Sequence, residues 1–123
     1  MNLAARKGLT QRVFYRSKAS TNAVVLVEGP VIFSGFSLTG GATSRWVRFY
    51  DLNRTPLASD EPSYVTKSNV SSPNNSTGQD IFFQNGIAIR MTVNGAPPTA
   101  FWDDTPILAE EVVLILFYRR VAS

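Results

Sequence analysis

The chain has 123 residues, of which 44% are hydrophobic and 17% charged, and its formal net charge is +3. This length and composition are typical of one globular domain with a sizeable core. The chain contains no cysteine and no histidine, which excludes disulfides, thiolate metal sites and nucleophilic arrangements of the Ser-His-Asp or Cys-His kind. It has no signal-peptide pattern and no apolar run long enough for a transmembrane helix, so we expect no membrane partner.

Positive charge is concentrated at the start of the chain. Residues 1–20 hold five of the twelve basic residues and no acid, whereas the remainder has seven basic and nine acidic residues. We interpret residues 1–20 as an extended basic N-terminal arm and residues 21–123 as one domain. We favour docking of the arm on an acidic protein surface over a solubilising tail, and a tail over nucleic-acid binding. The candidate docking residues are Arg6, Lys7, Arg12, Arg16 and Lys18.

Short strands separated by turn signals are predicted along the rest of the chain, with no convincing helix. Gly35 indicates a bulge or a close backbone approach, and Asn85-Gly86 is a tight-turn signal. Residues 68–79, rich in Ser and Asn, are predicted to form a long exposed loop, and a second loop is predicted at residues 95–106. The predicted strands are residues 12–16, 23–27, 31–38, 45–52, 64–67, 80–83, 87–93 and 112–118.

The strand at residues 45–52 presents two different faces. Val47 and Phe49 are predicted to point into the core, whereas Trp46, Arg48 and Tyr50 form an outward stripe of aromatics around a cation. Such a stripe is typical of a subunit contact, and it also matches a platform for stacking sugars or bases. We favour the subunit contact.

The side chains of the strand at residues 87–93 also divide into two different faces. One face is apolar, and the other is mixed, which predicts an antiparallel strand with one face in water. The apolar set is Ile87, Ile89, Met91 and Val93, and the predicted wet set is Ala88, Arg90 and Thr92.

The last strand, residues 112–118, is apolar on both faces, so both faces need cover. We expect Val112, Leu114 and Leu116 to pack inside the sandwich. The opposite face is the candidate contact with a sister subunit or with the arm, and consists of Val113, Ile115 and Phe117. Together these strands predict an all-β fold, an antiparallel β-sandwich of jelly-roll type.

Little in the sequence indicates catalysis or a bound ion. The adjacent acids Asp103-Asp104 and Glu110-Glu111 point to opposite sides of an extended chain, so neither pair makes an acid–base couple. Ligand spacing for a calcium loop is lacking, and we expect no metal and no cofactor. A carbohydrate-binding module that uses Trp46, Tyr50 and Trp102 is the main alternative from another class.

Several segments resemble a group of small β-sandwich virion proteins of tailed phages, over roughly residues 20–120. The matching segments are TNAVV (21–25), GFSLT (35–39), SRWVRFYD (44–51), NGIAI (85–89), DDT (103–105), EVV (111–113) and FYR (117–119). No part of this pattern is catalytic, so the likeness is one of fold. The longer loop rich in Ser, Pro and Asn and the insertion at residues 101–102 depart from the group.

The resemblance implies a structural protein on the capsid surface of a virion, made in the host cytoplasm. A capsid decoration or cement protein is the expected function, with the major capsid protein as partner and self-association as a homotrimer rather than a homodimer. No specific nucleic-acid partner and no enzymatic activity are expected. A place in the tail, baseplate or head fibre stays open as an alternative.

Overall fold

The structure, a computed structural model, describes residues 10–17, 22–40, 45–57, 59–68, 74–92 and 112–121. Within these ranges no helix has the length and apolar character needed to cross a membrane. The described strands are β1 (Gln11–Arg16), β2 (Asn22–Glu28), β3 (Val31–Gly40), β4 (Arg45–Asp51), β5 (Tyr64–Ser68), β6 (Asn74–Phe83), β7 (Gly86–Thr92) and β8 (Val112–Arg120).

The strands form two four-stranded antiparallel sheets. Sheet A has the order β1-β8-β3-β6, and sheet B has the order β2-β7-β4-β5. The first strand pairs with the last, the second with the seventh, the third with the sixth and the fourth with the fifth. The chain is therefore one long antiparallel ribbon rolled into two layers, which is the jelly-roll topology. The predicted antiparallel β-sandwich of jelly-roll type is confirmed.

Most predicted strands agree with the structure to within one or two residues, but the long loop predicted at 68–79 is wrong in part. Residues 74–83 form one strand, β6, which pairs with β3 at the edge of sheet A. An edge strand needs backbone hydrogen bonds more than apolar side chains, so a polar composition does not prevent it. The loop at residues 95–106 lies outside the described residues.

A bulge in the middle of β3 confirms the prediction at Gly35. The register with both neighbouring strands shifts between Phe33 and Gly35, and Gly35 has φ +145°. Residues three apart on a regular strand point to opposite faces. Because the bulge inserts one extra residue, Phe33 and Phe36 both point into the core.

Aromatic rings fill the space between the sheets. Phe33 is fully buried and lies at the centre of this cluster, with its ring centroid 4.9 Å from that of Phe49 and 5.7 Å from that of Phe83. The Tyr64 ring is 5.8 Å from Phe33. Val47 and Phe49 are fully buried, as predicted for the inward face of β4.

Three turns meet at one end of the sandwich. The N–H of Gly29 donates to the backbone oxygen of Asn85 at 2.9 Å, and the carboxylate of Asp51 accepts from the backbone N–H groups of Gln84 and Asn85 at 3.1 and 2.7 Å. A Cβ on Gly86, which has φ +148°, would lie 2.6 Å from the backbone oxygen of Val27. This close approach requires glycine at the tight turn predicted between β6 and β7.

Candidate docking face

The outer face of sheet A, directed away from the core, brings together residues from two of the predicted sites. The buried residues of β8 point inward, and the alternate residues Val113, Ile115 and Phe117 lie half-buried on the outer side. This confirms the predicted inward packing of Val112, Leu114 and Leu116, which are fully buried. On the neighbouring strand, β1 places Arg12, Phe14 and Arg16 on the same side. The cross-strand pairs on this face are Arg12–Phe117, Phe14–Ile115 and Arg16–Val113.

β1 lies inside the predicted arm, yet it is fixed to the sandwich at both ends. At one end the hydroxyl of Tyr118 donates to the side-chain oxygen of Gln11 at 2.9 Å. At the other end the N–H of Ser17 donates to the backbone oxygen of Val112 at 2.9 Å, and the N–H of Val112 donates to the Ser17 hydroxyl at 3.0 Å. Residues 11–16 therefore belong to sheet A, and the strand sets which side of the sheet each of their side chains lies on.

Apolar side chains also lie on the outer face of β3 and at the far edge of the sheet, although the β3 residues opposite Ile115 and Val113 are the polar Ser37 and Thr39. Ile32 of β3 pairs with Phe82 of β6, and Phe82 is 52% exposed. At the opposite edge Phe14 is 62% exposed. We call this set the apolar patch, and it consists of Phe14, Ile32, Phe82, Val113, Ile115 and Phe117.

Charge on the face is unequal at its two edges. Arg119, opposite Ile32, donates to Asp80 at 2.6 Å and to the hydroxyl of Ser34 at 3.2 Å, so its charge is compensated. Arg12 and Arg16 are exposed and form no ion pair within the described part of the chain. The β1 edge of the patch is therefore the positive one.

The dimensions of the patch follow from sheet geometry. Three strand spacings and six residues along β8 give the outer face an extent of roughly 15 Å by 20 Å, or about 300 Å², and the apolar patch shares this area with Ser37, Thr39 and the arginines. The largest apolar patch of a monomeric protein is usually about 300–600 Å², so the apolar area of this face lies below that range. A stable protein–protein interface buries about 800 Å² on each partner, so this patch alone matches a weaker contact.

The outer face of sheet B differs from its prediction. Arg48 and Tyr50, predicted as part of an outward stripe, are 0% exposed, and Trp46 is half-buried. The predicted wet face of β7 is wrong too, because Arg90 is 4% exposed and Ala88 is fully buried. The same burial removes Tyr50 from the stacking platform of a carbohydrate-binding module.

Part of the cover over sheet B comes from the connection between β4 and β5. A guanidinium nitrogen of Arg90 donates to the backbone oxygen of Pro56, a buried residue, at 2.7 Å. Arg48 lies directly opposite Arg90 on the neighbouring strand. Burial raises the pKa of Tyr50, and the charges of Arg48 and Arg90 oppose that rise. The predicted role of Arg48 and Tyr50 in a subunit contact stays a prediction.

An ion pair closes this connection on itself. The two guanidinium NH groups of Arg54 donate to the Asp60 carboxylate at 2.8 and 3.0 Å, and the N–H of Leu57 donates to the same carboxylate at 2.7 Å. The hydrogen bonds from Arg54 and then from Leu57 lower the pKa of Asp60 to about 2. The connection is therefore a defined turn.

Other predicted residues lie outside the described part of the chain. These are Arg6, Lys7, Lys18, Trp102 and the two acidic pairs at residues 103–104 and 110–111. Among the residues that are described, no three Asp or Glu side chains lie close enough together to hold a metal ion.

No protein-family model matches the sequence, and a search of curated proteins gives no match. Among solved structures, the coat protein of Tobacco streak virus is similar, with a TM-score of 0.35 and 12% identity over 91% of this chain and 88% of that chain. A TM-score this low does not establish a shared fold. The jelly-roll assignment therefore depends on the strand pairing described above.

Three patch residues had not been predicted as part of a site: Phe14, Ile32 and Phe82. A sequence signal exists for two of them, because each of Phe14 and Phe82 is a large aromatic on the opposite face from core residues of its strand. Phe14 lies beside Ile115, and Phe82 beside Ile32, because strands that are distant in sequence pair with each other.

Proposed function

We propose that the chain is a structural, non-enzymatic virion protein that docks on a protein shell through the outer face of sheet A. The observation that supports this most directly is the apolar patch with two exposed arginines, Arg12 and Arg16, along one edge. Jelly-roll sandwiches occur in viral capsid proteins, and also in lectins and cupins, so the fold agrees with the proposal without deciding it.

The finer proposal is a decoration or cement protein on the capsid of a tailed phage, with the major capsid protein as partner. A patch smaller than about 300 Å² gives a weak single contact. Many copies on a lattice, or a homotrimer presenting three patches at once, would bind tightly through multivalency. Acidic groups on the shell would complement Arg12 and Arg16 and set the register of docking.

Shell occupancy is the measurement that tests the proposal. Virions assembled with the wild-type chain are compared with virions that carry the double variant Arg12→Gln and Arg16→Gln. Two rim contacts worth about 0.2–1 kcal/mol each predict between about twofold and thirtyfold weaker docking of a single copy. Arg54→Gln, which removes one positive charge from the connection between β4 and β5, serves as the control for each of the single variants Arg12→Gln and Arg16→Gln, and we expect it to leave occupancy unchanged.

Position and assembly state are measured on the same material. Cryo-electron microscopy of virions places the chain on the head if the proposal holds; density only in the tail, baseplate or a fibre would contradict the cement role. Sedimentation equilibrium gives the mass of the free protein, and we expect a homotrimer. Undiminished occupancy of the double variant would contradict docking through the β1 edge of the patch.

A further inference from the structure

The free edge of β1 has backbone hydrogen-bonding groups with no neighbouring strand among the residues that the structure describes. Among the described strands, β1 is the terminal strand of sheet A and pairs only with β8. The pairing runs through six consecutive residues from Gln11 to Arg16 without a shift in register. Such an edge can accept a further strand.

The backbone groups at this edge can be assigned from one hydrogen bond. The N–H of Ser17 donates to the backbone oxygen of Val112, so this end of the β1–β8 pair is a hydrogen-bonded one. Hydrogen-bonded and non-hydrogen-bonded pairs alternate along an antiparallel ladder. The odd-numbered residues of β1 therefore bond to β8, and the N–H and C=O groups of Arg12, Phe14 and Arg16 are directed to the free edge.

The three other edge strands are less regular or shorter. β2 has a register shift between Val25 and Val27, and β6 contains an irregularity with Asp80 in the left-handed region at φ +49°. β5 has five residues. A bulge protects a sheet edge against pairing, and β1 has none and is one residue longer than β5.

Charge on β1 selects between kinds of incoming strand. If a second copy of β1 paired antiparallel and centred on Phe14, Arg12 of one copy would lie opposite Arg16 of the other. Like charges directly opposite each other destabilise a pair of strands. A strand with acidic residues at those two positions and an aliphatic residue between them would form two ion pairs and cover Phe14.

We propose that the β1 edge binds an extended segment of a protein partner by strand addition, and that this segment alternates in the order acid, any residue, aliphatic, any residue, acid. Backbone hydrogen bonds to Arg12, Phe14 and Arg16 hold the strand, and the two arginines select its sequence. This inference goes beyond the proposed function, since it concerns the edge of the sheet and holds for any protein partner.

A synthetic peptide tests the proposal without a virion. The probe is Thr-Glu-Thr-Val-Thr-Glu-Thr at millimolar concentration, and the matched control has Lys in place of Glu. Amide hydrogen exchange of the full chain is followed residue by residue by NMR. We expect exchange at Arg12, Phe14 and Arg16 to slow by about threefold or more with the acidic peptide, because their N–H groups become bonded. Exchange at Val13 and Tyr15 stays slow throughout.

Variants separate strand addition from simple charge attraction. Phe14→Pro removes one N–H from the free edge and no bond to β8, and Phe14→Ala removes the ring alone. We expect protection at residues 12 and 16 to be lost in the first variant and kept in the second. The double variant Arg12→Glu and Arg16→Glu leaves the backbone intact and reverses the charge. In this variant we expect the Lys peptide, and not the acidic one, to slow amide exchange at the edge.

Equal protection by the two peptides, or chemical-shift changes without slowed exchange at residues 12, 14 and 16, would overturn the proposal. The result is independent of shell docking. If the peptide binds and shell occupancy is unaffected by the arginine variants, the proposed function fails and strand addition stands. If the peptide does not protect the edge and the arginine variants lower shell occupancy, strand addition fails and the proposed function stands.

Discussion

Phe14 of β1 lies directly opposite Ile115 of β8, on the side of sheet A that faces away from the core. We expect Ile115→Thr, which keeps a β-branched side chain, to change the free energy of unfolding by less than about 1 kcal/mol. It should shorten retention on a hydrophobic-interaction column. Leu114→Ala, one residue away and fully buried, should cost about 2–5 kcal/mol in chemical denaturation. Equal losses in both variants would contradict the assignment of the two faces.

The aromatic core offers a comparison between two phenylalanines. Phe33 is fully buried among other rings, whereas Phe82 is 52% exposed. We expect Phe33→Ala to lower the free energy of unfolding by about 3–5 kcal/mol, because it leaves a cavity between the sheets. Phe82→Ala should lower it by less than about 1 kcal/mol. Urea denaturation measures both, and a large effect at Phe82 would show that the patch has cover within the chain.

Asp51 fixes the turn between β6 and β7 through its two backbone contacts. Removing this acceptor in Asp51→Ala leaves the N–H groups of Gln84 and Asn85 to water, and we expect a loss of about 1–2 kcal/mol in stability. Asp51→Asn keeps one acceptor oxygen and should lose less. Amide exchange at residues 84 and 85 should speed up in both variants, and unchanged exchange in the Ala variant would argue against the contact.

The ion pair between Arg54 and Asp60 predicts a pH response at the low end of the scale. The pKa of Asp60 is lowered from 3.8 to about 2, so its stabilising effect on the turn is complete above pH 3.8 and is lost as the pH falls through about 2. Carboxyl-carbon NMR should show this titration midpoint. In Arg54→Met the pKa of Asp60 should rise toward its ordinary value, and in the control Arg120→Met it should stay low.

Much of the sandwich could be predicted because alternation on single strands is a local property. Residues of β8 and β4 that were predicted to point inward are buried, since a period of two assigns faces without knowledge of the neighbours. β6 was missed at its first residues because an edge strand of Asn, Ser and Thr resembles a loop in composition. Its pairing partner, β3, lies far earlier in the chain.

The outer faces could not be predicted in the same way. Arg48 and Arg90 are charged residues in strands, where such residues are normally exposed, yet both are buried. The contact of Arg90 with Pro56 joins residues 34 apart in the sequence, so no local pattern predicts it. On sheet A, Arg12 and Ile115 were each identified as candidates for different sites. That they share one face depends on the pairing of β1 with β8, and their assigned roles stay predictions.

The pairing of the first strand with the last also has a consequence for synthesis. Gln11 and Tyr118, which are hydrogen-bonded in the folded protein, are separated by 107 residues. At about 5–20 residues per second, β1 leaves the ribosome roughly 5–20 s before its partner strand exists. During that time both of its edges and the side chains of Val13, Phe14 and Tyr15 have no strand beside them in sheet A. The interval is a window for chaperones or for early pairing with another chain, and it closes only when β8 emerges.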